Sequence, residues 1–310
     1  MIDSYMRGKV ERISPEAPVP VCTITKKENR LGGAANVALN IASMGAEPIL
    51  CSVIGGDSNG ELLLSLMDEK KLSIDGIITS NNRPTSTKTR ILSGSSQMLR
   101  VDEETDKAIC AEEEAVLLET IFDIIATKRI DAIIFQDYDK GVITKNIIER
   151  VIEKARSSNI PTAADPKSRN FLNYDHVTLF KPNLKELRDG LKVDIDVVNE
   201  ENLRQAADVL HGKHGMEKIF VTLSDLGVYM ADYSEGKAKT WHLPAHLRQI
   251  SDVSGAGDTV ISVASLCLAI GMEAGKIAMM SNLAGGLVCE SVGVVPIDRD
   301  ILFNELVKQI

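Results

Sequence analysis

Short apolar runs with the character of strands alternate with helical patterns along most of this 310-residue chain. Strands are predicted at 49–54, 132–135, 160–164, 177–180 and 219–222, and helical stretches lie between them. Helices are also predicted at 31–44, 57–70, 260–270 and 276–290. This alternation is typical of an α/β protein in which a mostly parallel sheet is covered by helices on both faces.

Two segments depart from the alternation. Residues 9–25 are rich in proline and valine without a helical period, and residues 85–101 alternate polar and apolar side chains around Ser93-Gly94-Ser95-Ser96. The second pattern indicates a hairpin. We expect both segments to form a small β-structure outside the main sheet. No linker divides the chain, so residues 1–310 are expected to form one domain with these segments inserted in it.

Composition excludes several classes of partner. A formal net charge of −9 argues against nucleic acid or an anionic membrane as the main partner.

There is no run of 18 apolar residues and no signal-peptide pattern, so a cytoplasmic location is expected. The five scattered cysteines are expected to be reduced thiols. His211 and His214 are three residues apart, but without acidic or cysteine partners they indicate a solvated helix end rather than a metal site.

Residues 252–259, Asp-Val-Ser-Gly-Ala-Gly-Asp-Thr, directly precede the apolar helix predicted at 260–270. Gly255 and Gly257 allow backbone N–H groups to turn inward at the helix start, where unpaired donors and the helix dipole attract an anion. Asp258 lies in the same turn, and a carboxylate beside a phosphate site suits proton removal from an attacking hydroxyl. The octamer therefore suggests phosphoryl transfer to an alcohol. A glycine-rich turn whose aspartate caps a helix is an equally good explanation of the octamer alone.

Polar residues follow four of the predicted strands, at 136–138, 165–167, 181–186 and 222–224. Each group alone is ordinary turn chemistry. Ligands of parallel sheets collect beyond the carboxyl ends of the strands. Together with the Gly-Ala-Gly-Asp turn, these groups indicate one ligand site at that edge.

Two further patterns have competing explanations. Asn183 and Glu186 are three residues apart at a predicted helix start, which suits either Mg²⁺ binding or a capping box. Gly32-Gly33-Ala34-Ala35-Asn36 allows a ligand to lie on the backbone beside an amide that bonds sugar hydroxyls, but tight helix packing also explains it. Asp3 is either a surface carboxylate or a ligand for two vicinal hydroxyls.

Gly32-Gly33-Ala34-Ala35-Asn36, Asn183-x-x-Glu186 and Asp252-x-x-Gly255-Ala256-Gly257-Asp258 together resemble the ribokinase/PfkB carbohydrate kinases, in the same order and over nearly the whole chain. Within that family, residues 12–21, 97–102 and 137–141 are similar to bacterial heptose 7-phosphate kinases. The resemblance implies a ribokinase-like three-layer α/β/α sandwich with a small β-sheet lid, which in this family often forms a homodimer contact.

The resemblance also implies an activity, namely ATP-dependent phosphorylation of O1 of D-glycero-D-manno-heptose 7-phosphate, a step toward the ADP-heptose of lipopolysaccharide cores. Mg²⁺ is the implied metal. Whether the enzyme also uses a monovalent cation is left open. The alternatives are another PfkB sugar or sugar-phosphate kinase (a ribokinase, fructokinase or phosphofructokinase) or a non-catalytic sugar-binding relative.

By the same resemblance, Asp258 is the catalytic base, and the transferring phosphate lies in an anion hole formed by Gly255, Ala256 and Gly257. The sugar-binding residues implied are Asp3, Gly32, Gly33, Asn36, Gln97 and Lys140. The nucleotide-binding residues implied are Asn183, Glu186, Thr222, Ser224, Gly227 and Asn282, with Asn183 and Glu186 placing Mg²⁺ through water. Because the substrate carries a phosphate of its own, we expect a cationic contact from Arg90, Lys140, Lys167 or Lys181.

The chain departs from the family pattern in three places. It begins Met1-Ile2-Asp3, whereas relatives usually carry a strand before that aspartate, so a central strand is expected to be missing or the start misassigned. Ser168 stands where glycine is expected. Nothing resembles the H-x-G-H nucleotidyltransferase domain fused to some relatives, so a kinase on its own is expected.

Overall fold

The computed structural model describes residues 1–94, 96–193, 199–246, 250–291 and 293–308. The strands are Ile2–Ile13 (β1), Pro20–Leu31 (β2), Ser52–Gly55 (β3), Ile77–Ser80 (β4), Thr87–Ser93 (β5), Ser96–Glu103 (β6), Ile133–Gln136 (β7), Thr162–Asp165 (β8), Leu179–Phe180 (β9), Lys218–Thr222 (β10), Val228–Asp232 (β11) and Lys239–Leu243 (β12). The helices are Ala34–Ser43 (α1), Ser58–Glu69 (α2), Ala111–Thr127 (α3), Lys145–Ser157 (α4), Leu184–Leu191 (α5), Glu200–His214 (α6), Ala256–Ala269 (α7), Ala274–Val288 (α8) and Arg299–Val307 (α9).

The main sheet has the strand order β12-β11-β10-β9-β8-β7, in which β7 to β10 are parallel and β11 and β12 antiparallel. Successive residues of its strands belong to different cores. Ala163 packs with α1, α7 and α8, whereas Ala164 packs with α3, α4 and α6. Because strand side chains alternate between faces, helices cover both sides of the sheet. The expected three-layer α/β/α arrangement is confirmed.

The sheet is not continuous. The predicted strand at 49–54 corresponds to β3, which pairs in parallel with β4 in a separate two-stranded sheet. In the described part of the chain, neither strand is hydrogen-bonded to the six-stranded sheet. The β3–β4 pair is therefore separate from β7, the edge strand of the main sheet.

The small β-structure is a sheet of order β2-β1-β5-β6, which we call the lid. It is larger than predicted, because β1 begins at Ile2 and β2 continues to Leu31 rather than spanning only 9–25. Residues 2–8 of β1 pair in parallel with β5, and Ile2 is fully buried, so the first part of β1 belongs to the body of the protein. The hairpin predicted at 93–96 joins β5 and β6; its Ser95 lies outside the described residues.

Other expectations concern cysteines, histidines and membranes. Cys22, Cys51, Cys110, Cys267 and Cys289 are all free thiols. His211 stacks on Tyr233 and His214 contacts Asp175, and the described residues contain no acidic, histidine or cysteine cluster suited to a metal. None of the helices within the described ranges has the length and apolar character needed to span a bilayer.

Candidate active site

The Asp258 carboxylate lies in the first turn of α7 and is only 7% exposed. One oxygen, Oδ2, accepts a hydrogen bond from Asn36 Nδ2 at 2.8 Å. The other, Oδ1, accepts one from the Tyr138 hydroxyl at 2.7 Å and a longer one from Gln136 Nε2 at 3.4 Å. Asn36 itself is in α1, so two of the helices that cover one face of the sheet, α1 and α7, meet at this carboxylate.

Burial raises the pKa of Asp258 to about 6, and the hydrogen bonds from Asn36 and Tyr138 offset part of that rise. The neighbouring Asp165 raises the pKa further, whereas Lys181 lowers it. Burial, followed by the charge of Asp258, raises the pKa of Tyr138 well above its ordinary value, so Tyr138 donates its proton in this contact. Asp258 is thus ionised at neutral pH and basic enough to accept a proton.

The turn ahead of α7 has the geometry predicted for an anion site. Gly255 is the N-cap with φ 83°, a left-handed conformation that favours glycine. The turn is fixed by Asp252, which accepts hydrogen bonds from the backbone of Ser254 and Gly293. Ala256 N–H donates weakly to Val253 at 3.3 Å, while the N–H groups of Gly257 and Asp258 have no partner within the described ranges. These two amides are available to a phosphate oxygen.

The polar strand ends meet as predicted. Gln136 Nε2 donates to Asp165 at 3.2 Å, and Lys181 Nζ lies 3.1 Å from the same carboxylate. Asp165 and Lys181 are almost fully buried. A Cβ at Gly257 would lie 3.9 Å from Lys181 Nζ, which places this cation beside the open amides. We call Gln136, Tyr138, Asp165, Lys181 and Asp258 the strand-end pocket.

Asn183 and Glu186 form a capping box at the start of α5. Asn183 Oδ1 accepts from Glu186 N at 2.8 Å, and Glu186 Oε2 accepts from Asn183 N at 2.9 Å. The other carboxylate oxygen of Glu186 pairs with Lys167, and Thr222 bridges Asn183 across the sheet edge. Since these oxygens are engaged, the geometry fits a hydrated Mg²⁺ held through water and does not fit direct coordination.

Asp3 is buried next to Gly32, just ahead of α1, and Arg90 Nη1 lies 2.5 Å from its Oδ1. A Cβ at Gly32 would lie 2.0 Å from Asp3 Oδ2, so the carboxylate rests directly on the glycine backbone. Gly33 is the N-cap of α1 with φ 57°, and a Cβ there would meet Met1 and the Tyr138 ring. Asp3 is therefore not a surface carboxylate, and Gly32 is needed for a close approach.

Most residues assigned to the nucleotide lie at the carboxyl end of β10, whereas Asn282 lies on α8. Ser224, with φ 57°, and Gly227, with φ 90°, form the tight turn between β10 and β11, in which a Cβ at Gly227 would meet Leu243 O at 2.0 Å. Thr222 ends β10 beside Asn183. Asn282, however, donates to Pro244 O at 2.9 Å, so its amide has a structural partner that fastens α8 to the segment after β12.

Gln97 and the cations predicted to contact the substrate phosphate are spread over the lid and the loops that follow β7, β8 and β9. Gln97 is exposed on β6, and nothing in the described structure brings it to Asp258. Lys140 Nζ pairs with Glu104 at 2.6 Å, and Lys88 lies 4.0 Å from the same side chain. Lys167 is paired with Glu186 and Lys181 with Asp165, so all four candidate cations already have a carboxylate partner.

Sequence reasoning placed Gln136 and Tyr138 at the sheet edge expected to hold the ligand but gave neither residue a role. Their hydrogen bonds to Asp258 span 122 and 120 residues of sequence, so no local pattern reveals them. The sequence feature that points to them is that polar residues follow several parallel strands, whose carboxyl ends lie at one edge of the sheet.

Comparison with known proteins agrees with this geometry. The profile of the pfkB family carbohydrate kinase matches residues 2–299. The bifunctional protein HldE of Methylobacillus flagellatus is 40% identical over 309 residues, covering 100% of this chain and 62% of its own length. The HldE of Syntrophotalea carbinolica is 38% identical over 306 residues, covering 99% of this chain and 61% of its own. This chain thus spans about three fifths of the length of these relatives.

Solved structures show the same fold. Phosphofructokinase-2 from Escherichia coli in complex with potassium superposes with a TM-score of 0.79 at 20% identity, covering 98% of this chain and 94% of that one. Arabidopsis thaliana ribokinase complexed with ribose and ATP gives a TM-score of 0.73 at 17% identity, with 98% and 95% covered. The expected ribokinase-like fold is confirmed. The chain therefore belongs to the pfkB family of carbohydrate kinases and is a sugar kinase, an enzyme that transfers a phosphoryl group to an alcohol.

Proposed function

We propose that this kinase uses ATP to phosphorylate O1 of D-glycero-D-manno-heptose 7-phosphate. The observation that carries the chemistry is the ionised, buried Asp258 in the same helix turn as two unpartnered amides. The choice of sugar is supported by the stretches at 12–21, 97–102 and 137–141 and by relatives of 36–40% identity named HldE. No activity of the remaining part of those longer relatives is assigned to this chain.

In this proposal, Asp258 removes the proton from the anomeric hydroxyl as that oxygen attacks the γ-phosphorus of ATP. The bond between the γ-phosphorus and the bridging oxygen breaks, and ADP leaves. The amides of Gly257 and Asp258 and the ammonium of Lys181 stabilise the oxygens of the transferring group. Gly255 and Ala256 shape this anion hole. Asn36 and Tyr138 hold the carboxylate in position, which reduces the reorganisation required during transfer.

The sugar would lie between Asp258 and the lid. Asp3, Gly32, Gly33 and Asn36 form a continuous buried surface there, and the Asn36 Oδ1 atom is buried without a hydrogen-bond partner in the described structure. That oxygen suits a sugar hydroxyl. We assign the 7-phosphate to the lid side, where Arg90 and Lys140 are only partly buried, and Gln97 reaches it only if β6 closes over the sugar.

The nucleotide would lie along the carboxyl ends of β9 and β10, against Asn183, Thr222, Ser224 and Gly227. Asn282 stays in this group as a proposed contact to the adenine, with its amide nitrogen held by Pro244 O. Mg²⁺ would be held through water near Glu186 and would neutralise phosphate charge when bound. A monovalent cation is supported only by the potassium in phosphofructokinase-2, and we assign no residues to it.

We further propose that residues 1–310 act as one kinase domain that dimerises through its lid. The exposed face of β6 carries Met98, Leu99 and Val101, and the lid also exposes Ile13 and Val19. Apolar side chains grouped on one exposed sheet are typical of a contact surface. Their position on the lid fits an interface between two copies.

A substrate panel tests the function. The purified chain would be incubated with ATP, Mg²⁺ and, separately, heptose 7-phosphate, fructose 6-phosphate, ribose and fructose, and ADP release would be measured. We expect the largest kcat/KM with heptose 7-phosphate and a product whose new phosphorus couples to the anomeric proton in ³¹P spectra. A larger kcat/KM with any other sugar would overturn the substrate, and absence of ADP release with every sugar would overturn the kinase mechanism for this chain.

A further inference from the structure

Arg30 lies near the end of β2, two positions ahead of Gly32, where the lid leads into α1. Its guanidinium has contacts on both sides of this junction. Within the lid, Nε donates to Glu28 Oε1 at 2.6 Å. Outside the lid, Nη1 donates to the backbone oxygen of Val294 at 3.1 Å, although the two residues are 264 positions apart. Arg30 therefore fastens the lid to the segment between α8 and α9.

The segment that receives this hydrogen bond, residues 293–297, also supports the turn ahead of α7. Gly293 N–H donates to Asp252 Oδ2 at 3.0 Å, and Asp252 fixes the turn. A Cβ at Gly255 would lie 3.2 Å from Val294 Cγ1, so the Val294 side chain lies next to the N-cap of α7. The position of the turn that carries the two open amides thus depends on where this segment lies.

The other end of the segment is anchored by Asn40 of α1. Ile297 N–H donates to Asn40 Oδ1 at 2.9 Å, and the Thr259 hydroxyl of α7 donates to the same oxygen at 3.0 Å. Asn40 is fully buried. The end at Ile297 is therefore held by the body of the protein, whereas Arg30 of the lid holds the end at Val294.

A second arginine of the lid connects Arg30 to the proposed sugar site. Arg90 Nη1 lies 2.5 Å from Asp3 Oδ1. The guanidinium groups of Arg30 and Arg90 each lie 5.3 Å from the centre of the Tyr5 ring, within the range of a cation–π contact. A continuous line of contacts thus runs from the proposed sugar site to Val294.

These contacts use the shape of a guanidinium. Its N–H donors lie in one fixed plane and point in different directions, so it can serve Glu28 and Val294 at the same time while it lies over a ring. The Arg30 side chain is 30% exposed, so the group is partly desolvated. A lysine would keep the charge, but its single nitrogen does not bridge acceptors on both sides of the junction.

We propose that Arg30 is a positioning residue that couples the lid to the anion hole. By holding Val294, it holds the turn at Gly255 where the amides of Gly257 and Asp258 face the transferring phosphate. Arg30 therefore contributes to phosphoryl transfer rather than to sugar binding. The inference rests on the proposed function, because it assigns the open amides to the phosphoryl group.

The test uses three variants of the full chain. Arg30→Met removes the donors but keeps a side chain of similar length, and Arg30→Lys keeps only the charge. Arg100→Met is the matched control, because Arg100 is a lid arginine that pairs with Asp102 of the same strand. For each variant, kcat and both KM values would be measured with ATP and the sugar that the wild type prefers. Hydrogen–deuterium exchange without ligands would be measured at residues 252–259, at residues 293–297 and in β10.

We expect Arg30→Met to lower kcat by about tenfold or more, because small displacements of groups around a reacting phosphate are costly, and to change KM for the sugar by less than about threefold. Arg30→Lys should resemble Arg30→Met, and Arg100→Met should resemble the wild type. Exchange at residues 252–259 and 293–297 should become faster by about tenfold or more in Arg30→Met, with exchange in β10 unchanged.

Unchanged kcat in Arg30→Met, or wild-type kcat in Arg30→Lys, would overturn the positioning role. A higher KM for the sugar at unchanged kcat would also overturn it, because Arg30 would then act in sugar binding. Equally faster exchange in β10 would mean that the substitution loosens the whole fold, which contradicts the proposal. If the wild type releases no ADP with any sugar, the proposed function fails; unchanged exchange in Arg30→Met would then separately show that Arg30 does not hold the turn.

Discussion

The strand-end pocket and the lid differ in how completely their side chains are partnered. In the pocket, Asp165, Lys181 and Asp258 are buried, and each has hydrogen-bond or ion-pair partners at 2.7–3.4 Å. On the lid, β6 is exposed along its entire length, and Leu99 is 54% exposed. The side chains of the pocket are therefore partnered within one chain, whereas the lid presents an exposed surface, which we propose contacts a second copy.

Ion pairs in the two regions also differ in how much they affect the free energy of unfolding. Lys181 and Asp165 form a buried pair, and removing one partner of such a pair typically costs about 3–5 kcal/mol. The exposed pair between Arg100 and Asp102 on the lid belongs to a class that contributes about 0–1 kcal/mol. Retaining buried charge in the pocket is costly for folding, and its presence there is best explained by the reaction.

The largest expected effect comes from replacing the base. Asp258→Asn keeps the shape of the side chain but cannot accept the proton, so we expect turnover to fall by about 10²–10⁴ with KM for ATP little changed. Steady-state kinetics with the preferred sugar would measure this. Turnover close to that of the wild type would show that Asp258 is not the base.

The pH dependence of stability shows whether the Asp258→Asn variant is correctly folded. Because the pKa of Asp258 is raised from 3.8 to about 6 in the folded state, the wild type gains stability as the pH falls from above 6 toward 4. The Asp258→Asn variant lacks this gain and avoids the buried charge, so at pH 8 it should be more stable than the wild type, by at most about 3 kcal/mol. Urea unfolding at pH 8 and pH 5 tests the sign, and a less stable variant at pH 8 would mean that the substitution disturbs packing.

A smaller effect is expected from the neighbour of the base. Tyr138→Phe removes a hydrogen bond that stabilises the ionised carboxylate, so the pKa of Asp258 should rise by about one unit. The acidic limb of kcat/KM should then move from about pH 6 to about pH 7, with less change at pH 8. Tyr174→Phe is the matched control, because that hydroxyl donates to Asp137 instead. No movement of the limb, or equal movement in both variants, would contradict the assignment.

The smallest effect on stability is expected on the lid. Leu99→Asp places a charge on an exposed strand, so the free energy of unfolding should change by less than about 0.5 kcal/mol. If the lid forms the dimer, the mass measured by light scattering should nevertheless halve. Val116→Asp, at a similarly exposed position on α3, should leave the mass unchanged. The same mass for Leu99→Asp and the wild type would contradict a lid interface.

Sequence patterns predicted the parts of this molecule that depend on neighbouring residues. The strands at 132–135, 160–164 and 219–222 are confirmed within one or two residues, because short apolar runs flanked by helices leave few alternatives. The turn at Gly255 was predicted from glycine spacing and the apolar run that follows it. Asn183 and Glu186 were open between two explanations, and the structure shows the capping box.

Features that depend on residues far apart in the sequence were harder to predict. The extent of β1 was missed because Ile2 and Asp3 become strand residues through pairing with β5, more than 80 positions away. The contact between Tyr138 and Asp258 joins two loops whose separation is set by the whole sheet. The hydrogen bond from Asn282 to Pro244 likewise depends on how α8 packs against the segment after β12.

The hydrogen bond between Asn36 and Asp258 connects residues 222 positions apart. Contacts with such large separation close late, because the intervening chain must first be synthesised and ordered. A ribosome that has made only the first two thirds of the polypeptide has therefore produced α1 without Asp258, the residue that we propose accepts the proton. Incomplete chains are consequently unable to consume ATP, and activity begins only when the last third has folded onto the first.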